Sequence, residues 1–321
     1  MHYIFEVKTP DTESAFAVGS HRSTSRIATL AIVGSSLLWG TTGVAASFVD
    51  ESVSAVAIGA STMVFGGLLL FATSARSSLA VMRDRSVRRW LILGVAGIAV
   101  YPLSFYLAMD EAGVAIGNVV ALGSAPVFAA VLEKVVDRAT LGLRWQISTG
   151  IAIVGIVALS LGKAPDEASD GSIPLGVALG LVAGASYALY TFSSARIIDS
   201  GHPGRSVMGS SFGLGALVLS PVVIILGGSI VDDPASISIA AYLALGPMFI
   251  AYLLFEFGLR STRSSTATSI TLIEPVVATV LAVTIVGERL EWWGWLGILL
   301  ILGGVGVLVS ARQSRNSTQP A

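Results

Sequence analysis

Apolar residues fill the chain in long, nearly unbroken runs, at approximately 27–49, 53–75, 90–109, 112–132, 145–162, 174–195, 206–231, 236–257, 264–286 and 292–311. Short polar segments separate them. Each run is about twenty residues, the length an α-helix needs to cross the hydrocarbon core of a bilayer. None shows the alternating tens of a barrel strand, so the pattern predicts ten membrane-spanning helices. Residues 1–26 mix charge, Ser, Thr and His with no usable period and read as a disordered cytoplasmic tail, and 312–321 as a second tail. Arg22 and Arg26 before an apolar run sketch a signal peptide, but the run is too long for one and more apolar sequence follows Ser47.

Composition agrees. The chain of 321 residues is 54% hydrophobic and 12% charged, with a mean hydropathy of +0.81, whereas a soluble domain carries about 25% charge. The 35 glycines would weaken soluble helices but are ordinary within lipid. Having no cysteine, the chain is excluded from disulfide scaffolds, thiolate metal sites and thiol catalysis. A net charge of −1, with no basic patch beyond a short loop, argues against a nucleic-acid partner.

The position of the charges says more than their sum. With the amino terminus inside, all of the 19 basic residues except Lys163 and Arg289 fall in cytoplasmic segments. Arg83, Arg85, Arg88 and Arg89 in the second-to-third connection read as topology anchors. Asp50, Glu51, Asp110, Glu111, Asp232 and Asp233 fall opposite. This obeys the positive-inside rule and supports an even number of spans with both termini inside.

Two landmarks recur at almost one offset. Trp39 in Ser-Leu-Leu-Trp-Gly corresponds to Tyr187 in Gly-Ala-Ser-Tyr-Ala, and Pro126 in Gly-Ser-Ala-Pro-Val to Pro275 in Leu-Ile-Glu-Pro-Val. A duplicated five-helix unit explains the offset, and because five is odd the second copy enters the membrane inverted. The units are expected at 27–163 and 174–311.

Glu274 is the sharpest candidate for chemistry. It lies about midway along the ninth run, where a charge is expensive and a carboxyl suits proton exchange. Pro275 follows it and removes a helical N–H. The structural alternative is a carboxyl that fixes packing across the bundle. Trp39, Tyr106, Tyr187, Tyr190 and Tyr252, with Tyr101 and Phe105, sit within runs rather than at headgroup level and could line a pocket for a small organic solute. Packing aromatics are the alternative. Asn118 is the only Asn in any run, and its amide needs a partner in hydrocarbon. Glu256 is expected to pair with Arg260 at i,i+4. Glu133, Lys134, Asp137 and Arg138, and later Glu288, Arg289 and Glu291, read as loop ion pairs and headgroup anchors. Trp292, Trp293 and Trp295 read as an interfacial belt. Gly176, Gly180 and Gly184 in the sixth helix, and Gly113 and Gly117 in the fourth, form small faces for close packing. Pro102, Pro126, Pro221, Pro247 and Pro275 mark candidate kinks. His2, His21 and His202 lie in a tail and a loop, so no His cluster is available for metal, and no nucleotide loop occurs. No cofactor is expected.

These residues give the chain a resemblance to the drug/metabolite transporter superfamily, and within it to EamA-type ten-helix transporters, over roughly residues 27–311. It rests on Trp39-Gly40, the small residues leading to Pro126, Glu274-Pro275 with Glu288 thirteen residues beyond the proline, and the tenth helix with Gly297, Gly303, Gly304 and Gly306. The first half departs from the pattern, with Ala139 where an acid would echo Glu288. The resemblance implies an all-α, multi-pass plasma-membrane carrier of two inverted repeats that exports amino acids or related metabolites. Protons are the candidate coupling ion, lipids the surroundings, and a monomer the working unit, with a dimer as the alternative. A membrane-embedded lipid-modifying enzyme and a non-transporting scaffold or sensor are the competing classes.

Overall fold

A computed structural model describes residues 12–138, 143–162, 171–259, 270–271 and 273–316, with 12–25, 144, 145, 148, 160, 259, 305 and 308–316 described by backbone alone. Arg260, with which Glu256 was expected to pair, lies outside the described residues. The described chain is helical almost throughout. In hydrocarbon every backbone amide must be bonded within the protein, and a helix does this within one segment. In order the elements are α1 (Thr12–Gly40), α2 (Thr42–Ala46), α3 (Ala55–Ala72), α4 (Ala75–Arg83), α5 (Arg88–Ala112), α6 (Val114–Asp137) and α7 (Leu143–Leu161). The second half has α8 (Ile173–Asp199), α9 (Gly204–Leu226), α10 (Gly228–Val231), α11 (Pro234–Leu243), α12 (Ala251–Leu259), α13 (Ile273–Leu281) and α14 (Trp292–Asn316). A π-helical turn, Ala244–Ile250, joins α11 to α12, and a second, Ala282–Val286, ends α13.

Seven of these helices or helix pairs are long and apolar enough to cross a membrane, and Thr149–Leu159, Ile273–Val286 and Trp292–Gly304 are shorter apolar stretches. The molecule is a multi-pass integral membrane protein. Its outer surface carries bare side chains such as Leu217, Ile224, Ile225 and Leu299, which in lipid meet an apolar solvent.

Three features depart from the sequence pattern. The basic stretch after α3 holds a helix, α4, whose Ser78 and Val81 are buried against α9 while Arg76 and Arg83 face out. Gly113 is not part of a helical small face: with φ +93° it is the corner between α5 and α6, a backbone region open to glycine. Gly117 does pack inside α6, against the backbone of Ala108 and Met109. The first span breaks at Thr41, between α1 and α2.

The helices pack in pairs that repeat between halves. α1 lies on α12 and α13 of the second half, and α8 lies on α5 and α6 of the first. α3 pairs with α9, and α7 with α14, across the two halves. Glycines permit these approaches. A side chain at Gly97 would lie 2.6 Å from the Ser186 carbonyl oxygen, and one at Gly180 would lie 2.9 Å from Val120. Gly176 and Gly184 likewise sit directly against Ala112 and Ser124, so the expected small face of the sixth helix fits the α5–α6 hairpin.

Candidate substrate site

The site begins at Trp39-Gly40. A Cβ on Gly40 would stand 2.7 Å from Val277 Cγ1 and 3.1 Å from the Glu274 carbonyl oxygen. Glycine at this position therefore lets α1 lie directly on α13 beside Glu274. The neighbouring Trp39 points to α12, and its indole N–H donates to the Pro247 carbonyl at 2.9 Å. Pro247 sits in the π-helical turn, where the regular ladder is interrupted and a side-chain donor can meet a carbonyl. The next residue, Thr41, shares a hydrogen bond of 2.6 Å with the Tyr242 hydroxyl.

Trp39 starts a continuous arc of rings. Its ring centroid is 5.2 Å from Tyr252, and Tyr252 is 5.0 Å from Phe212. The arc continues through Phe212–Tyr190 at 5.7 Å, Tyr190–Tyr187 at 5.1 Å and Tyr187–Tyr101 at 5.5 Å. It ends through Phe105 at Tyr106, whose hydroxyl meets Thr62 Oγ1 at 3.5 Å. Most junctions are edge-on, the arrangement that ring quadrupoles favour. The arc draws on α1, α12, α9, α8 and α5, and so on both halves of the chain.

Glu274 stands beside the start of this arc, its carbonyl against Gly40, the neighbour of Trp39. It lies one turn from Ala278, which is fully buried, and three residues from Val277, which touches Gly40. Its carboxyl is close enough to interact electrostatically with Tyr101, Tyr187, Tyr190 and Tyr252. Glu274, Trp39, Tyr101, Tyr187 and Tyr252 are half-buried, whereas Tyr106, Tyr190 and Phe212 are buried. These half-buried side chains come from five helices, α1, α5, α8, α12 and α13. At helix ends, Arg196 pairs with Asp137 and Arg205 with Glu256, and His202 Nε2 meets the Asp84 carboxylate.

Of the sequence candidates, Trp39, Tyr187, Tyr190, Tyr252 and Glu274 come together, and Tyr106 closes one end of their arc. Pro275 is buried behind Glu274, and its carbonyl accepts the Thr279 hydroxyl at 2.8 Å. Asn118 stands on the α6 face of Val114, Ala115 and Ala121, which pack in one cluster with Phe105 and Tyr106. Both ends of its amide are buried with no hydrogen-bond partner. Sequence reasoning missed Phe212, which joins the tyrosines of two helices, and the Thr41–Tyr242 pair. Phe212 is one more apolar residue in an apolar run and carries no signal of its own, whereas Thr41 could have been found as a hydroxyl beside Trp39-Gly40.

Glu288, expected as a loop anchor, has a further part. Its carboxylate accepts the Val114 amide and, at 3.0 Å, the Ala115 amide, so it caps the amino terminus of α6. An anion is favoured there because the first amides of a helix lack partners within it. The acid thirteen residues past Pro275 thus serves a helix of the other half.

The EamA-like transporter family matches the chain twice, at residues 26–161 and 174–310. An uncharacterized transporter of Bacillus subtilis (strain 168), YwfM, is 31% identical over 92% of this chain and 98% of its own length. An uncharacterized inner membrane transporter of Salmonella typhimurium, YicL, is 24% identical over 90% of this chain and 96% of its own. A crystal structure covering 91% of this chain and 99% of its own superposes with a TM-score of 0.60 at 20% identity, a likeness of fold.

Proposed function

Because the chain belongs to the EamA-like transporter family of the drug/metabolite superfamily, and so is a membrane transporter rather than an enzyme, we propose that it exports small organic metabolites by alternating access. Amino acids or related compounds are the leading substrates, and protons the coupling ion. The observation that carries this reading is the placement of Glu274 against an arc of rings drawn from both halves. A solute held there touches both halves at once, so their relative movement changes the face to which it is open. The two family matches and the exchanged helix contacts support inverted repeats at 27–163 and 174–311, with ten spans and both termini in the cytoplasm. The plasma membrane is the proposed location, and one chain, surrounded by lipid, contains a whole pathway.

Glu274 is the proposed proton carrier. A carboxyl in hydrocarbon gains most from being neutral, and a cationic solute or water beside it reverses that preference. The titratable groups facing it are the phenols of Tyr101, Tyr187, Tyr190 and Tyr252. Counterflow in proteoliposomes across a broad metabolite panel tests the reading. Wild type should exchange at least one class of metabolite, with rates that change between pH 6 and pH 8. Glu274→Gln should keep exchange but lose the pH response. No exchange across the panel defeats the transport proposal, and an unaltered pH response removes Glu274 as the carrier.

A further inference from the structure

α9 ends at Gly227, and the chain turns there through the short α10 into α11. Gly228 opens α10, and a Cβ built on it meets no neighbouring atom within 4 Å. That open space belongs to a cavity of about 280 Å³. Its walls are Ser61 and Phe65 of α3, Val223 of α9, Gly228 and Val231 of α10, and Ala240 of α11. None of these residues belongs to the ring arc. An apolar cavity of roughly 150 Å³ takes up benzene, so this one has room for several links of an alkyl chain. We propose that it holds one acyl chain of a phospholipid whose headgroup carries an ammonium. The inference stands apart from the transport reading and needs only a chain set in lipid.

Place, depth and polarity select the chain. The lips, Phe65 and Val231, are 53% and 67% exposed, and Ile224, next to Val223, is barer still. The mouth therefore opens among side chains that meet lipid. Phe65 stands ten residues into α3 from Ala55, about 15 Å of helix rise, or half of a hydrocarbon core about 30 Å thick. The cavity thus lies within one leaflet, along the depth of a single acyl chain. Among the described residues that line it, only Ser61 has a polar side chain, and its hydroxyl donates to the Ile58 carbonyl at 2.9 Å. A polar solute would find no side-chain partner there, whereas an alkyl chain needs none. The rim selects the headgroup. Asp232 and Asp233 follow Val231 directly. The Asp50 amide donates to Ser236 Oγ at 3.2 Å, and the Ser236 amide donates to Asp233 at 2.7 Å, which sets the connection before α3 against the start of α11. The two connections, 47–54 and 227–233, hold four acids and no Lys, Arg or His. Asp50, Glu51 and Asp232 are exposed. At headgroup level these charges attract an ammonium and repel a phosphate that lacks one.

Native mass spectrometry of the full chain, released from nanodiscs of equal parts dioleoyl-phosphatidylethanolamine and dioleoyl-phosphatidylglycerol, counts the lipids that stay bound. Wild type should retain one phosphatidylethanolamine at least about threefold more often than one phosphatidylglycerol. Gly228→Leu, which fills the cavity, should lower that retention about fivefold or more. Asp232→Asn, which leaves the cavity open, should narrow the headgroup preference about twofold or more. Should Gly228→Leu fail to fold, as read by its melting transition, Gly228→Ala takes its place, since its one methyl enters open space, and should lower retention about twofold or more. Retention unchanged by filling the cavity overturns the inference, as does the absence of any retained lipid. Phosphatidylglycerol held as well as phosphatidylethanolamine, or a preference indifferent to Asp232→Asn, overturns the headgroup assignment. A mass of two chains in wild type that Gly228→Leu reduces to one gives the cavity to a second copy and overturns the lipid site.

Discussion

Asn118 is 0% exposed, and neither end of its amide is bonded. An orphaned buried polar group costs about 1–3 kcal/mol, and an apolar group of similar shape removes that cost. Asn118→Leu is therefore expected to stabilise the detergent-solubilised protein by about 1–3 kcal/mol, read as a higher melting temperature. If Asn118 also serves the solute, the same variant will exchange more slowly in proteoliposomes, while packing alone would leave exchange unchanged. Outside the membrane, the Asp84 carboxyl is held down to about 2, first by the Ser86 hydroxyl, then by the Ser86 amide and by His202. A carboxyl with a lowered value in the folded state stabilises above its unfolded value, near 3.8, and loses that contribution as pH falls towards 2. The Asp84–Ser86 turn should thus resist proteolysis at pH 5 and become cleavable between pH 4 and about 2, with Asp84→Asn already cleavable at pH 5. At this scale the sequence was legible wherever a polar or charged side chain stood alone among apolar ones. Glu274, Asn118 and Trp39 announced themselves in that way. Phe212 did not, because its role comes from the two tyrosines it touches.

α6 starts on a glycine corner and under a borrowed cap. Glu288 reaches it from the far end of α13, beyond a π-helical turn and Gly287, whose φ is +85°. Glu288→Ala should cost about 0.5–2 kcal/mol of stability, the usual loss for a helix cap, whereas Glu288→Asp should recover little because the shorter acid falls back from two amides. Gly113→Ala should destabilise for two reasons: its φ is unsuited to a side chain, and its Cβ would lie 3.0 Å from Glu288 Oε1. Thermal unfolding of the three variants in one detergent compares them. The positions of the helices were readable because lipid leaves hydrophobicity as the main local variable. The break at Thr41, the corner at Gly113 and the two π-helical turns were not. Thr41, the Gly113 corner and the turn at Pro247 each meet a donor or acceptor from a segment distant in sequence, such as the Trp39 indole at Pro247. The cap that Glu288 supplies to α6 was illegible for the same reason.

At the scale of the molecule, the absence of cysteine becomes useful. A Cβ built on Gly215 would lie 3.5 Å from Ile98 Cβ, across the contact of α9 with α5, a separation that a disulfide spans. In Ile98→Cys combined with Gly215→Cys, oxidation should join the two halves in one step. Protease cleavage between residues 163 and 171 then releases two fragments only under reduction, as gel mobility will show. Cross-linked protein should also exchange solute more slowly than the reduced form if the two helices shift during transport. The proposed duplication draws on two sequence landmarks, Trp39 with Tyr187 and Pro126 with Pro275, whereas the pairing of the halves was not legible, since no local signal says which half a helix will lie on.

That pairing bears on ancestry. α1 rests on α12 and α13, while α8 rests on α5 and α6: each half lends its first helix to the other. A lone copy of the five-helix unit would have had an unburied first helix and no counterpart to receive it. On the proposed duplication, such a unit would have been complete only as two chains that exchanged arms. On the same proposal, fusion would make permanent an embrace that depends on concentration. Present-day halves expressed as separate chains should accordingly restore function together and accumulate poorly alone.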